Sequence, residues 1–311
     1  MKNLVLGGGG FVGEYLINEL KKNQKNDIYA TYTPTKNIEI DGINKLPLDI
    51  TDADAVNDII KTVKPDCIYY LIAQSSVKVS WEQPQKTIEV NVLGITNLLE
   101  AVRKYHKAAK ILVIGSSEEY GQNDYTKPIS ENCELNPVNV YAITKVTQEM
   151  IAKVYVKAYD LNIVMTRSFN HIGPKQPGTA VISDFCGQVV NIEEGKQKPV
   201  IFVGNLSACR DFTNVRDVVR AYITIMEKGV AGEIYNVGSG NVYKIEDILN
   251  MILNKSSEKI KVEIDSEKFR PIDTPVIRPD ITKLKTLGWK PQIEIEASID
   301  EILNYFRERV S

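Results

Sequence analysis

Short apolar runs separated by stretches of helical periodicity fill the first half of the chain. Residues 2–6 (KNLVL), 27–32 (DIYATY), 45–48, 66–72, 110–115 (KILVIG) and 162–167 read as strands with helices between them. That rhythm predicts an α/β fold with a doubly wound parallel (Rossmann) sheet. After Arg167 the rhythm changes. Residues 169–213 and 241–311 hold longer loops and most of the prolines. Between them, Asn214 to Lys228 reads as a helix and Glu233 to Val237 as a strand that rejoins the sheet. The expected organisation is a dinucleotide-binding domain of residues 1–168 and 214–240. A smaller, discontinuous C-terminal substrate domain follows from residues 169–213 and 241–311.

The helix from Gln85 to Lys104 carries apolar residues on more than one face: Ile88, Val90, Val92, Leu93, Ile95, Leu98, Leu99 and Val102. One face suffices to cover a sheet. The second predicts a homodimer, with Ile151, Val154 and Tyr155 of the helix near 141–159 joining it.

Composition narrows the function. The chain has 311 residues, 43% hydrophobic and 25% charged, with a net charge of −2. Its isoelectric point near 5.9 argues against general attraction to nucleic acid or an anionic membrane. No apolar run is long enough to cross a bilayer and the start shows no signal-peptide pattern, so a cytoplasmic location is expected. Cys67, Cys133, Cys186 and Cys209 lack CxxC spacing and read as free thiols. With only His106 and His171 present, no metal site is expected.

Two segments carry chemistry. Gly7, Gly10 and Gly13 have G-x-x-G-x-x-G spacing between the first strand and a helix read from Glu14 to Lys21. The first glycine permits a tight turn, the second close approach of backbone to a pyrophosphate, and the third close helix packing. Phe11, Val12, Ile50 and Ala73 complete the expected cofactor path. No acid follows the second strand to hold a ribose 2′-hydroxyl. Thr33 and Lys36 there favour a 2′-phosphate, hence NADP(H), with NAD(H) possible. Asp49 is placed either on the adenine amine or as a cap of the helix starting near Asp52.

The second segment is Ser116-Ser117-Glu118-Glu119-Tyr120-Gly121, followed by Tyr141-Ala142-Ile143-Thr144-Lys145. Tyr141 and Lys145 share a helical face. An ammonium beside a phenol is expected to lower the phenol's pKa and ready it for proton exchange. Ser116 at the strand end is placed to hold the same substrate oxygen, with Ser117 and Glu118 as accessory groups.

With these motifs placed, the chain resembles the extended short-chain dehydrogenase/reductases over essentially its whole length. The resemblance includes Leu71 to Val77 and Asn91-Val92-Leu93-Gly94. Leu6 stands where many members have Thr, and Ile72 where many have Ala. Arg167 to Pro174, Val203 to Leu206 and Arg210 to Asp217 resemble the segments of members that act on GDP-sugars. The resemblance implies NAD(P)H-dependent reduction of the C4 ketone of GDP-4-keto-6-deoxy-D-mannose to GDP-D-rhamnose. The rival chemistry is dehydration of GDP-mannose, for which Glu118 stands at the position of the base. Another nucleotide-sugar epimerase or reductase is a further alternative. It further implies substrate roles for Ser76, Lys78, Asn170 and Val181, diphosphate contacts by Arg210 and Arg270, and a guanosine ribose contact by Asp273. A non-catalytic NADP(H)-sensing regulator on the same fold is disfavoured, because Tyr141, Lys145 and Ser116 are all retained.

Overall fold

Six strands follow one another early in the chain: β1 (Lys2–Leu6), β2 (Asp27–Tyr32), β3 (Asn44–Pro47), β4 (Cys67–Tyr70), β5 (Lys110–Ser116) and β6 (Asn162–Ser168); helices separate them except between β2 and β3, where the sequence rhythm predicts one and the described residues form a loop instead. Four short strands then leave the sheet: β7 (Asn170–Ile172), β8 (Val200–Val203), β9 (Cys209–Arg210) and β10 (Phe212–Asn214). β11 (Ile234–Val237) returns to it. The resulting seven-stranded sheet runs β11-β6-β5-β4-β1-β2-β3. Every neighbouring pair in it is parallel. The computed structural model describes residues 1–35, 37–122, 127–269 and 274–310.

The helices are α1 (Phe11–Lys21), α2 (Ala53–Val63), α3 (Val77–Glu82), α4 (Pro84–Ile88), α5 (Gly94–Tyr105), α6 (Val140–Tyr159), α7 (Val181–Glu193), α8 (Val215–Lys228), α9 (Ile245–Leu253), α10 (Thr282–Thr286) and α11 (Ile295–Val310). α1 and α8 cover one face of the sheet. α2, α5 and α6 cover the other. Alternation along the strands feeds both sides. Val5, Tyr69, Leu112 and Val164 meet Leu16, Ile17, Val218 and Tyr222. Leu4, Leu6, Ile68, Ile111 and Ile163 meet Ile60, Leu98, Leu99 and Ala152. Each large side chain so buried contributes about 1.5–3 kcal/mol. Strands with both faces covered read as continuous apolar runs, which is why they stand out in the sequence.

A third core lies beyond the sheet, where α7, α9 and α11 close over Ile201 and Val203 of β8. Three further strands serve this region: β12 (Tyr243–Lys244), β13 (Lys261–Ile264) and β14 (Val276–Ile277). β9 lies between β12 and β14, while β13 pairs with β8. α1 is tied to the loop after β7. Phe11 stacks on His171 with ring centroids 6.0 Å apart. Tyr15 donates to Pro174 O at 3.0 Å, and Lys175 pairs with Glu14 at 2.7 Å.

Several boundaries differ from the sequence expectation. α1 starts at Phe11 rather than Glu14, because extended Gly10 is its cap. The fourth strand stops at Tyr70, where residues 71–76 turn away across Gly7; a Cβ on that glycine would stand 3.2 Å from Ile72 Cγ1. The long helix runs from α4 through a π turn (Glu89–Leu93) into α5. Asp49 does not cap α2. Asp52 does, accepting from Asp54 N and Ala55 N, while Asp49 Oδ1 accepts from Thr51 N and Oγ1. Among the described residues no helix is long and apolar enough to cross a membrane, and no group of His, Cys, Asp or Glu could hold a metal ion.

Candidate active site

The strand order reverses between β1 and β4, which opens a crevice at the carboxyl ends of the strands. Two structures meet there. At the end of β1, Gly7 takes φ +93°, a conformation that disfavours a side chain. A Cβ on Gly13 would stand 2.4 Å from Gly7 O and 2.6 Å from Gly8 O. The third glycine therefore lets α1 press on the carbonyls of the turn itself. Gly10 caps α1 without a side-chain hydrogen bond, so no side chain of the cap takes up the N–H groups of the first turn. A glycine-walled turn leading into such a helix start fits a dinucleotide pyrophosphate. Phe11, Val12 and Ala73 are partly buried around this turn, and Ile50 is buried. Thr33 is exposed, its Oγ1 3.2 Å from Thr35 Oγ1. Lys36 lies outside the described residues.

The second structure is the end of β5 with α6. Ser116 closes β5, and its Oγ caps the following 3-10 turn (Ser117–Tyr120) by accepting from Glu118 N at 3.2 Å. Asn139 caps α6: its Oδ1 accepts from Ala142 N at 2.8 Å, and its Nδ2 donates to Glu118 Oε2 at 3.1 Å. One asparagine thus sets both the start of α6 and the position of Glu118. Ser116, Ser117, Tyr141 and Lys145 are all buried. The Ser116 hydroxyl lies close enough to the Tyr141 phenol to influence its ionisation. Lys145 Nζ donates to Ile114 O at 2.8 Å and to Gln148 Oε1 at 3.3 Å.

The electrostatics overturn one expectation. Lys145 Nζ stands 5.9 Å from the centre of the Tyr141 ring, yet the phenol's pKa is raised, not lowered. Burial raises it, because desolvation disfavours the phenolate. The neighbouring Ser116 hydroxyl works the other way, and the charges of Glu119 and Glu118 add to the rise. Burial also pushes the Lys145 ammonium down, to about 8, against the pull of Glu119. In this state Tyr141 is a firmly protonated donor.

The groups expected to meet substrate are spread more widely. Ser76 caps α3, its Oγ accepting from Val79 N at 3.3 Å. Lys78 reaches into solvent and stands 4.0 Å from Glu82. Asn170 is exposed in β7, opposite Phe212 of β10. Val181 opens α7. Arg210 Nη1 donates to Cys209 O at 2.8 Å. Asp211 and Asp217, the acids nearest to it in the sequence, are engaged elsewhere. Asp211 accepts from Thr213, Ser239 and Gly240; Asp217 accepts from the backbone of Gln292 and Ile293. Arg270 and Asp273 lie outside the described residues.

Sequence reasoning missed several supports of the site. Asn91, in the π turn, exchanges hydrogen bonds with Gln74 and donates to Thr144 Oγ1 of α6 at 2.9 Å. Glu119 Oε1 accepts from Ser116 N at 2.6 Å. Arg167 is buried on β6 and paired with Glu149. The S-x-x-E spacing of Ser116 and Glu119 is a capping-box signature, and Asn139 just before a helix is a cap signature. Both were readable.

Comparison with known proteins fits this geometry. A family model described as GDP-mannose 4,6 dehydratase matches residues 4–302. A GDP-6-deoxy-D-mannose reductase of Pseudomonas aeruginosa is 30% identical over 308 residues, spanning 98% of this chain and 97% of that protein. The structure of RMD from Pseudomonas aeruginosa complexed with NADPH superposes with a TM-score of 0.86 at 28% identity, over 99% of this chain and 100% of that one. A UDP-glucose 4-epimerase of Thermotoga maritima, solved with UDP-glucose, gives a TM-score of 0.89 at 26% identity over 100% of both chains. The matched span takes in the glycine turn, the Ser116 motif, Tyr141 and Lys145 together, and the chain belongs to the GDP-mannose 4,6-dehydratase-like family of extended short-chain dehydrogenase/reductases.

Proposed function

We propose that this protein reduces the C4 ketone of GDP-4-keto-6-deoxy-D-mannose to GDP-D-rhamnose with NADPH. The observation that carries the reading is the buried trio of Ser116, Tyr141 and Lys145, with Ser116 and the glycine turn both at carboxyl ends of strands of one parallel sheet. Likeness to the reductase of Pseudomonas aeruginosa supports it. The dinucleotide, held by Gly7, Gly10, Phe11, Val12 and Gly13, supplies a hydride to C4 when bound. Tyr141 gives its phenolic proton to the C4 oxygen, so the ketone becomes an alcohol. Ser116 donates a hydrogen bond to that oxygen and fixes its direction. Lys145, anchored on Ile114 O, presents its remaining N–H to the nicotinamide ribose. Thr33 and Lys36 select the 2′-phosphate, with NADH accepted less well. Asp49 and Ile50 border the adenosine. Arg210 and Arg270 hold the diphosphate, Asn170, Ser76 and Lys78 the sugar side, and Val181 and Asp273 the guanosine.

Residues 1–168 and 214–240 act in this reading as the dinucleotide unit. Residues 169–213 and 241–311 act as the substrate unit, supported by the separate third core. The four free cysteines fit a reducing cytoplasm. We also infer a homodimer. Ile88 and Leu93 on the helix through the π turn, and Ile143, Met150 and Val154 on α6, are each 44–59% exposed on adjoining faces. Ile151 and Tyr155 do not share that surface. Both pack toward the core under the sheet, and Tyr155 donates to Glu100 at 2.8 Å.

One observation favours the second reading, dehydration of GDP-mannose: Glu118 lies close enough for its charge to act on Tyr141. Glu118→Gln separates the two, because the amide keeps size and hydrogen bonding but is not a base. The reductase reading expects stoichiometric loss of NADPH absorbance with the 4-keto sugar, largely kept in Glu118→Gln. Water loss from GDP-mannose with no net NADPH use, abolished by the same change, would overturn it.

A further inference from the structure

Behind the trio lies a second group of charges. Glu119 is fully buried and folds back from the 3-10 turn so that Oε1 takes the Ser116 N–H. Gly115 makes the room. A Cβ there would stand 2.4 Å from Glu119 Oε1 and 2.3 Å from Thr166 O. The other oxygen, Oε2, is buried without a hydrogen-bond partner, 3.7 Å from Arg167 Nε. That guanidinium is already engaged. Its Nε and Nη2 each donate to Glu149 at 2.9 Å, and Nη1 donates to Glu131 O at 3.0 Å. Lys153 adds a further bond to Glu149 at 2.7 Å.

Among the described residues, the charged and titratable groups shown to act on or with Glu119 are Tyr141, Lys145 and Glu149 on α6 and Arg167 on β6; Glu118 precedes it on the same turn and acts on Tyr141. Burial first, and then the Glu149 charge, push the Glu119 carboxyl up to about 8. When charged, Glu119 strengthens the hold of both Tyr141 and Lys145 on their protons.

We propose that Glu119 is a positioning residue of the reaction centre: its buried carboxyl fixes the Ser116 peptide and sets a charge behind Tyr141 and Lys145. The inference rests on the proposed roles of those two residues in proton transfer. Glu119→Gln keeps the length and an acceptor for Ser116 N–H but removes the charge. In the variant, Tyr141 and Lys145 give up their protons more easily. The alkaline limb of the pH–rate profile for NADPH-dependent reduction shifts to lower pH by about half a unit or more. Glu119→Ala, which loses the acceptor as well, falls about tenfold further in kcat than Glu119→Gln at the optimum.

A second measurement needs no turnover. The folded protein holds the Glu119 proton more tightly than the unfolded chain does, so wild-type stability is lost as pH rises from 4.5, the ordinary carboxyl value, through about 8. Glu119→Gln escapes that loss. Its Tm relative to wild type climbs by about 3 °C or more across the window. Parallel Tm curves with superimposed rate profiles would overturn the inference. A wild type that reduces no 4-keto nucleotide sugar would overturn the functional reading instead, and the Tm comparison would still decide whether Glu119 carries the charge assigned to it.

Discussion

Ser116, Tyr141 and Lys145 stand on a strand end and one helix, each buried, with Ser116 and Lys145 held by neighbours at hydrogen-bond distance. Asn170, Val181 and Lys78 stand at the edge of solvent on a three-residue strand and at helix starts. In the proposed reading the contrast follows from what each set must do. Proton and hydride transfer tolerate errors of only a few tenths of an ångström, so their groups sit on rigid elements with supporting neighbours. Recognition of a polyol and a diphosphate uses many weaker contacts, which loops and short strands can supply and vary.

The contrast is broken most directly at Tyr141. Tyr141→Phe lowers kcat by about a hundredfold or more while cofactor affinity changes little. Stopped-flow turnover together with a cofactor fluorescence titration reads both, and a mutant of near-native turnover would remove Tyr141 from its role. The opposite side is tested by Arg210→Ala. There the expected change is a rise in KM of about tenfold with kcat held within a few-fold, the split produced by losing ground-state binding to a phosphate. A fall confined to kcat would place Arg210 with the reaction centre instead. The smallest effect on chemistry is expected on the outer face of α6. Met150→Glu puts a charge on the exposed apolar surface and shifts sedimentation toward monomer, with activity retained per folded chain. An unchanged sedimentation profile in a folded variant would argue for a different interface.

The same contrast governs how much could be read from sequence. The sheet was legible because strands covered on both faces must be apolar throughout, as in β4, where all four residues are buried. The glycine turn was legible because only glycine fits at Gly7 and Gly13. The direction of the Tyr141 shift was not. Two residues sharing a helical face suggest a Coulombic effect, but the degree of burial, which decides the sign here, is a tertiary quantity. Glu119, Glu149 and Arg167 were passed over because acids and an arginine look like surface residues until the fold buries them together. The long helix does leave Ile88 and Leu93 exposed, and on α6 only the structure separates outward Ile143, Met150 and Val154 from inward Ile151.

The π turn at Glu89–Leu93 amounts to one residue more than a regular helix would hold between α4 and α5. It aims Asn91 at both Gln74 and Thr144. Because the bulge absorbs that extra residue, deleting one of these five would leave a regular helix with α4 and α5 still in phase. Leu98, Leu99 and Val102 would keep their places in the core, while Asn91 would lose its aim at Gln74 and Thr144. The extra residue is thus spent on holding the loop after β4 to α6 rather than on the sheet, and its removal would be felt at α6 before it was felt in the core.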